Sequence, residues 1–221
     1  MMYHLGVPAG ALVVPVPAVE EVVGRHRRRL DPSARDGMAA HITVLYPFAP
    51  ASEVDESLVV RLTEVFGSIA PFDFSLVEIG WFNSRVAYLA PAPDVWFREM
   101  TAAAAASFPR YPPYEGNFAD IVPHLTIGEG AHPLRLRRAA RRVRRRLPVL
   151  ARAVEVQLMT IDDDSTRWTC AHVFALGDTE VNGRPAGPDA EVVRREAASE
   201  LPVVGRLPTP RRLEGGRGDR P

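Results

Sequence analysis

Lysine is absent: all 27 strongly basic side chains of the 221-residue chain are arginine, and 27 acidic residues balance them to a formal net charge of zero. A chain without net charge lacks the overall field that holds nucleic acid non-specifically, which argues against binding through bulk charge. Arginine stands even where any solvated cation would serve, so the bias belongs to composition before function. Cysteine occurs once, at Cys170. That excludes an internal disulfide and a zinc site made of several thiolates. No apolar run reaches membrane-spanning length, and the opening MMYHLGVPAG lacks the charged and apolar regions of a secretory signal. The expectation is a cytoplasmic protein, monomeric, with no membrane partner.

With 46% hydrophobic residues, the chain can bury one ordinary core or two small fused lobes. Residues 178–221 change character, becoming rich in Pro, Gly, Arg and Glu and ending GGRGDRP. They are expected to form a disordered tail, with a short helix at most around Ala190–Glu200. The RGD at Arg217–Asp219 reads as a product of that composition.

Against this background two short runs stand out: His41-Ile42-Thr43 and, 83 residues later, His124-Leu125-Thr126. Each lies in an apolar stretch with strand character, AAHITVLYPF and IVPHLTIG. A strand turns alternate side chains to one face, so each run presents a histidine and a hydroxyl together. The surroundings match as well. Before His41 come an apolar run, Ala11–Val16, and a helical stretch, Pro17–Leu30; after it come a helix, Glu53–Ile69, and a strand, Phe72–Gly80. Before His124 come a strand, Arg85–Ala90, and a helix, Asp94–Phe108; after it come a helix, Leu134–Leu147, and a strand, Arg152–Ile161. A strand at Arg167–Leu176 closes the chain's ordered part. Each half, about 11–80 and 85–161, thus reads strand–helix–HxT strand–helix–strand within one unit, 1–177. The expected fold is α/β (α+β), bilobal, with a pseudo-twofold axis bringing the two HxT strands face to face.

HITVLYPF and PPYEGNFADIVPHLTIG, with RVAYLAP between them, resemble the signatures of the two-histidine (2H) phosphoesterases, in particular the 2′-5′ RNA ligase-like branch. The resemblance covers roughly residues 10–177. It implies two antiparallel sheets lining a central cleft, one HxT strand per lobe. It also implies metal-independent, cofactor-free action on 2′,3′-cyclic phosphates or 2′-5′ phosphodiester linkages of RNA ends or small nucleotides. His41 and His124 would be the catalytic histidines, and Thr43 and Thr126 the hydroxyls that contact phosphate.

The residue types suit that chemistry. In-line displacement at phosphorus needs a base on the attacking side and an acid on the leaving side, and imidazole can serve as either near neutral pH. One strand cannot reach both sides; two facing strands can. The threonines supply donors for the non-bridging oxygens. Two alternatives remain open: a weakly catalytic or non-catalytic RNA- or nucleotide-binding module on the same fold, and metal-assisted hydrolysis. A metal would need a third ligand, for which Asp162–Asp164, at an expected turn, is the available cluster.

Other features read more plainly. His26 is expected at a core boundary, His172 in core packing, and His132 at the start of the Arg-rich helix. That helix, LRLRRAARRVRRRL, places Leu136, Ala140, Val143 and Leu147 at core spacing. Its arginines are expected to be a solvated face in preference to an RNA contact, and Arg27–Arg29 likewise. Among aromatics able to stack on a base (Tyr46, Tyr114, Trp81, Phe82 and Trp168), Tyr46 and Tyr114 are the candidates for substrate contact.

Overall fold

The computed structural model describes residues 10–117, 120–161 and 165–177. The tail at 178–221, His4 and the Asp162–Asp164 cluster lie outside the described residues.

Among the described residues eight strands form two four-stranded antiparallel sheets. In chain order they are β1 (Gly10–Pro15), β2 (His41–Phe48), β3 (Phe72–Phe82), β4 (Val86–Ala92), β5 (Leu125–Glu129), β6 (Val149–Ala153), β7 (Glu155–Ile161) and β8 (Trp168–Ala175). The helices are α1 (Glu20–Leu30), α2 (Pro32–Arg35), α3 (Glu56–Gly67), α4 (Val95–Ser107) and α5 (Pro133–Arg144). The sheets run β2-β1-β7-β8 and β5-β4-β3-β6. Both HxT segments therefore lie at a sheet edge, and β2 and β5 approach each other across the molecule.

Local chemistry sets the boundaries. Asp55 caps α3, its carboxylate accepting from Leu58 N at 2.8 Å, and His132 caps α5 by accepting from Leu134 N at 3.3 Å. Asp31 caps α2, accepting from Ser33 N at 3.1 Å, and Pro32 and Pro133 open their helices where an N–H has no intrahelical partner. The expected helix at Pro17–Leu30 begins instead with a 3-10 turn at Pro17–Val19.

The main core fills the helix-covered side of both sheets. Leu12, Val14, Ile42 and Val44 from one sheet join Leu76, Leu89, Leu125 and Ile127 from the other, with Leu62, Phe66, Phe97 and Leu136 from the helices. Truncating one such leucine to alanine typically costs about 2–5 kcal/mol. A smaller cluster of Ala11, Val13, Met38, Met159 and Trp168, with Tyr46 packed against it, occupies the opposite face of the first sheet. Val13 pairs with Thr43 across the β1–β2 ladder, so Thr43 shares that second face.

The structure corrects three expectations. The strand expected at Arg152–Ile161 is two strands in different sheets: β6 pairs with β3, β7 pairs with β1, and exposed Val154 marks the crossing. The apolar alternation continues through the crossing, so the sequence period carries no sign of it. His172 is exposed, not core, because β8 is an outer strand. Arg27, expected in a solvated face, is 2% exposed.

The expected halves are also interleaved. The third strand of the first half, β3, pairs with β4, while its counterpart β7 pairs with β1. Each half of the chain completes the other's sheet, which ties the two sheets into one body.

Candidate active site

His41 opens β2, and His124 stands one residue before β5. In both runs the intervening residue is wholly buried, Ile42 and Leu125, while the histidine and threonine remain partly exposed. The alternation expected of a strand thus presents His41 with Thr43 and His124 with Thr126.

The two histidines are held in the same way. Nδ1 of His41 lies 2.7 Å from the carbonyl oxygen of Ala39, and Nδ1 of His124 lies 2.8 Å from that of Val122. A carbonyl can only accept, so each Nδ1 carries the hydrogen and donates it. Each neutral ring then keeps Nε2 as its free basic nitrogen. In both cases the acceptor is two residues back, so the segments before the HxT runs orient the rings as well as the runs themselves.

Burial and charge then shape the basicity. His41 is lowered to about 4, first by desolvation, then by the Arg27 guanidinium, with His124 adding a further like-charge push. The Ala39 carbonyl and Asp31 oppose this without reversing it. His124 is also lowered, by desolvation, against the pull of the Val122 carbonyl. That His41 lies within electrostatic reach of His124 agrees with the contact between their strands.

Arg27 escaped the sequence reading. From the last turn of α1 its Nε and Nη2 donate to Oδ2 of Asp31 at 3.0 and 2.9 Å, both residues being buried. Ser33 N and Oγ hold the other carboxylate oxygen at 3.1 and 2.8 Å. The i,i+4 Arg–Asp spacing was the available signal, but three consecutive arginines resemble a solvated run. At the other end of α1, Glu20 accepts from Ala40 N at 3.2 Å, fastening the helix to the residue before His41.

Aromatic rings surround the two histidines unequally. His124 meets Phe82 edge-on at 4.9 Å and Tyr88 at 5.4 Å, and those two rings stack at 4.3 Å. Gly80 makes room for this: a Cβ there would fall 2.1 Å from Cζ of Tyr88. On the other side Tyr46 meets Trp168 at 6.5 Å. Tyr114 lies in the Pro113–Gly116 turn, which packs on β2, and takes a left-handed backbone (φ 49°, ψ 38°). Burial raises its hydroxyl to about 12. Tyr46 is also raised, by burial and then by the neighbouring Glu115 carboxylate. Tyr46 and Tyr114 therefore both border the His41 strand. Trp81 packs against the main core.

Among the described residues no helix is long and apolar enough to cross a membrane, and no three His, Cys, Asp or Glu side chains converge as a metal site would require.

Two antiparallel sheets, each bearing an HxT segment at its edge, define a bilobal α/β fold. The chain belongs to the 2′-5′ RNA ligase superfamily, whose profile matches residues 14–165. It is similar to a Bacillus cereus (strain G9842) protein named "Putative phosphoesterase", 28% identical over 126 residues, spanning 55% of this chain and 69% of that one. A Bacillus anthracis (strain CDC 684 / NRRL 3495) protein of the same name is 24% identical over 173 residues, 76% of this chain and 96% of its own. In fold it resembles apo E. coli LigT, with a TM-score of 0.50 at 19% identity over 78% of this chain and 100% of that one. It also resembles a Thermus thermophilus protein, with a TM-score of 0.51 at 15% identity over 77% of this chain and 98% of that one.

Proposed function

We propose that the chain is a phosphoesterase that opens 2′,3′-cyclic phosphates or cleaves 2′-5′ phosphodiester linkages, in RNA or small nucleotides, by paired-histidine acid–base catalysis. The observation that carries the reading is the matched Nδ1-to-carbonyl contact, which leaves a free Nε2 on each of two histidines from opposing strands. Superfamily membership and the phosphoesterase names of the relatives support it.

In this reading His41 is the base. Burial and Arg27 keep its ring neutral at pH 7, so Nε2 can take the proton of the attacking water. His124 is the acid that protonates the departing ribose oxygen. It lacks the Arg27 contribution, and the incoming phosphate anion raises its proton affinity at the moment of need. Thr43 and Thr126 donate to the non-bridging oxygens as charge accumulates there. Tyr46 and Tyr114 flank the bound nucleotide, with Trp168 behind Tyr46. Acid and base both come from the chain itself, so no metal or cofactor is assigned a part.

The test is turnover of 2′,3′-cyclic nucleotides and short 2′-5′ linked oligonucleotides by the full chain and by Thr43→Val and Thr126→Val. Each variant is expected to lose about a hundredfold to a thousandfold in kcat with unchanged thermal stability, as for loss of a neutral donor to a developing charge. A binding-only protein would show affinity without turnover.

A further inference from the structure

The arginines of α5 are exposed, as the amphipathic pattern predicts, but they are not evenly spread over the surface. A groove of about 470 Å³ runs between α1 and α5, lined by Arg29, Arg135, Arg138 and Arg142, with His26 in its wall. Leu30 and Ala139 form its apolar floor. The acidic residues of α1 are engaged elsewhere, Glu20 with Arg28 at 4.0 Å and Glu21 with Arg146 at 3.9 Å. Among the described residues, no carboxylate comes within ion-pairing distance of the four groove arginines. Four exposed arginines lining one concavity without a counter-charge raise the local positive potential, which a bound anion relieves. His26 reports the same positive surroundings: burial lowers it first, and Arg142, Arg25 and Arg29 lower it further.

The shape narrows the anion. Arg135, Arg138 and Arg142 follow one another at i, i+3 and i+7, a row about 10 Å long on an α-helix. Such a row suits successive phosphates better than a single one. No Phe, Tyr or Trp lines the groove, so it offers charge with little surface for base stacking. It lies behind the edge strand that carries Thr126. A Cβ on Gly128 of β5 would fall 2.6 Å from the Leu30 Cβ, on the helix-covered side where Gly128 pairs with Ala87, while Thr126 pairs with Tyr88 on the other side.

We propose that the α1–α5 groove binds the phosphodiester backbone of an RNA strand whose reactive end occupies the histidine cleft. The strand crosses the β5 edge, and the groove reads its charge but not its sequence. The assignment of the strand's end rests on the function proposed above; the anion groove itself does not.

The experiment measures binding directly, so it needs no turnover. Affinities for a labelled octauridylate with a 2′,3′-cyclic end are compared across about 50 to 200 mM salt. The proteins are wild type, the groove triple Arg29→Gln/Arg138→Gln/Arg142→Gln, and a charge-matched control on α5 outside the groove, Arg137→Gln/Arg141→Gln/Arg144→Gln. The groove triple is expected to bind at least about tenfold more weakly and to lose about two units of log–log salt slope, from about 0.7 per phosphate contact. The control is expected to remain near wild type, with melting curves showing both triples folded. Equal losses in both triples would overturn the proposal, because charge anywhere on the helix would then suffice. Tripolyphosphate binding in the groove with no groove-dependent octamer binding would overturn the strand assignment in favour of a free polyphosphate ligand. Groove-dependent octamer binding by a protein without turnover would uphold the groove while the catalytic reading failed.

Discussion

His41 is lowered to about 4, chiefly by burial and by Arg27. In the unfolded chain the same ring titrates near 6.5, so between pH 6.5 and about 4 the unfolded state takes up a proton that the fold resists. Stability is therefore fully present above pH 6.5 and falls as pH drops through that window; His26 and His124, also lowered, act in the same direction. Urea unfolding at a series of pH values checks this, and the slope should diminish in His41→Asn. The pair behind His41 carries a second expectation. Asp31→Asn leaves the buried Arg27 charge without its partner, at a cost of about 3–5 kcal/mol. The residue scale also shows the limits of sequence. The alternation that turns His41 with Thr43, and His124 with Thr126, away from the core was legible because it follows the strand period. Arg27 was not, because a run of charge conceals the one member that turns inward.

At the scale of elements, the edge position of the β2 and β5 segments matters most. An interior strand is flanked on both sides by its own sheet, whereas two edge segments can approach each other and bring their histidines to one substrate. Support for His124 reaches it through β3 and β4, where Tyr88 lies across Gly80 and stacks with Phe82. Gly80→Ala should displace Tyr88 and lower kcat about tenfold through a misplaced imidazole. Gly80→Ala/Tyr88→Ala, which removes the clash, should recover folding stability without recovering the ring contact, as urea unfolding and kcat together would show. Element positions were largely readable from the sequence, since helical and strand periods alternate cleanly from Ala11 to Phe108. The β6–β7 crossing was not: Ala153, Val154 and Glu155 continue a strand-like run, and only the pairing of Phe72 with Ala153 and of Leu12 with Leu158 divides it between sheets.

For the whole molecule, the interleaving of halves places two histidines from different sheets within electrostatic reach of each other. Because β3 joins the sheet of β4 and β5 while β7 joins that of β1 and β2, the chain crosses between the sheets twice, and residues of both sheets pack into one core. A shared core holds the two HxT edges at a fixed separation, which the proposed acid–base chemistry would require. The bilobal arrangement was legible from the repeated order of elements, whereas the exchange of third strands depends on long-range pairing that local periodicity does not encode. The central claim is that two imidazoles, one from each sheet, carry the reaction. The most direct measurement is turnover of a 2′,3′-cyclic nucleotide in EDTA by wild type, His41→Ala and His124→Ala. Activity that survives the chelator and falls by about 10²–10⁴ in each variant is the predicted result. Activity abolished by EDTA, or retained in either variant, would contradict the account.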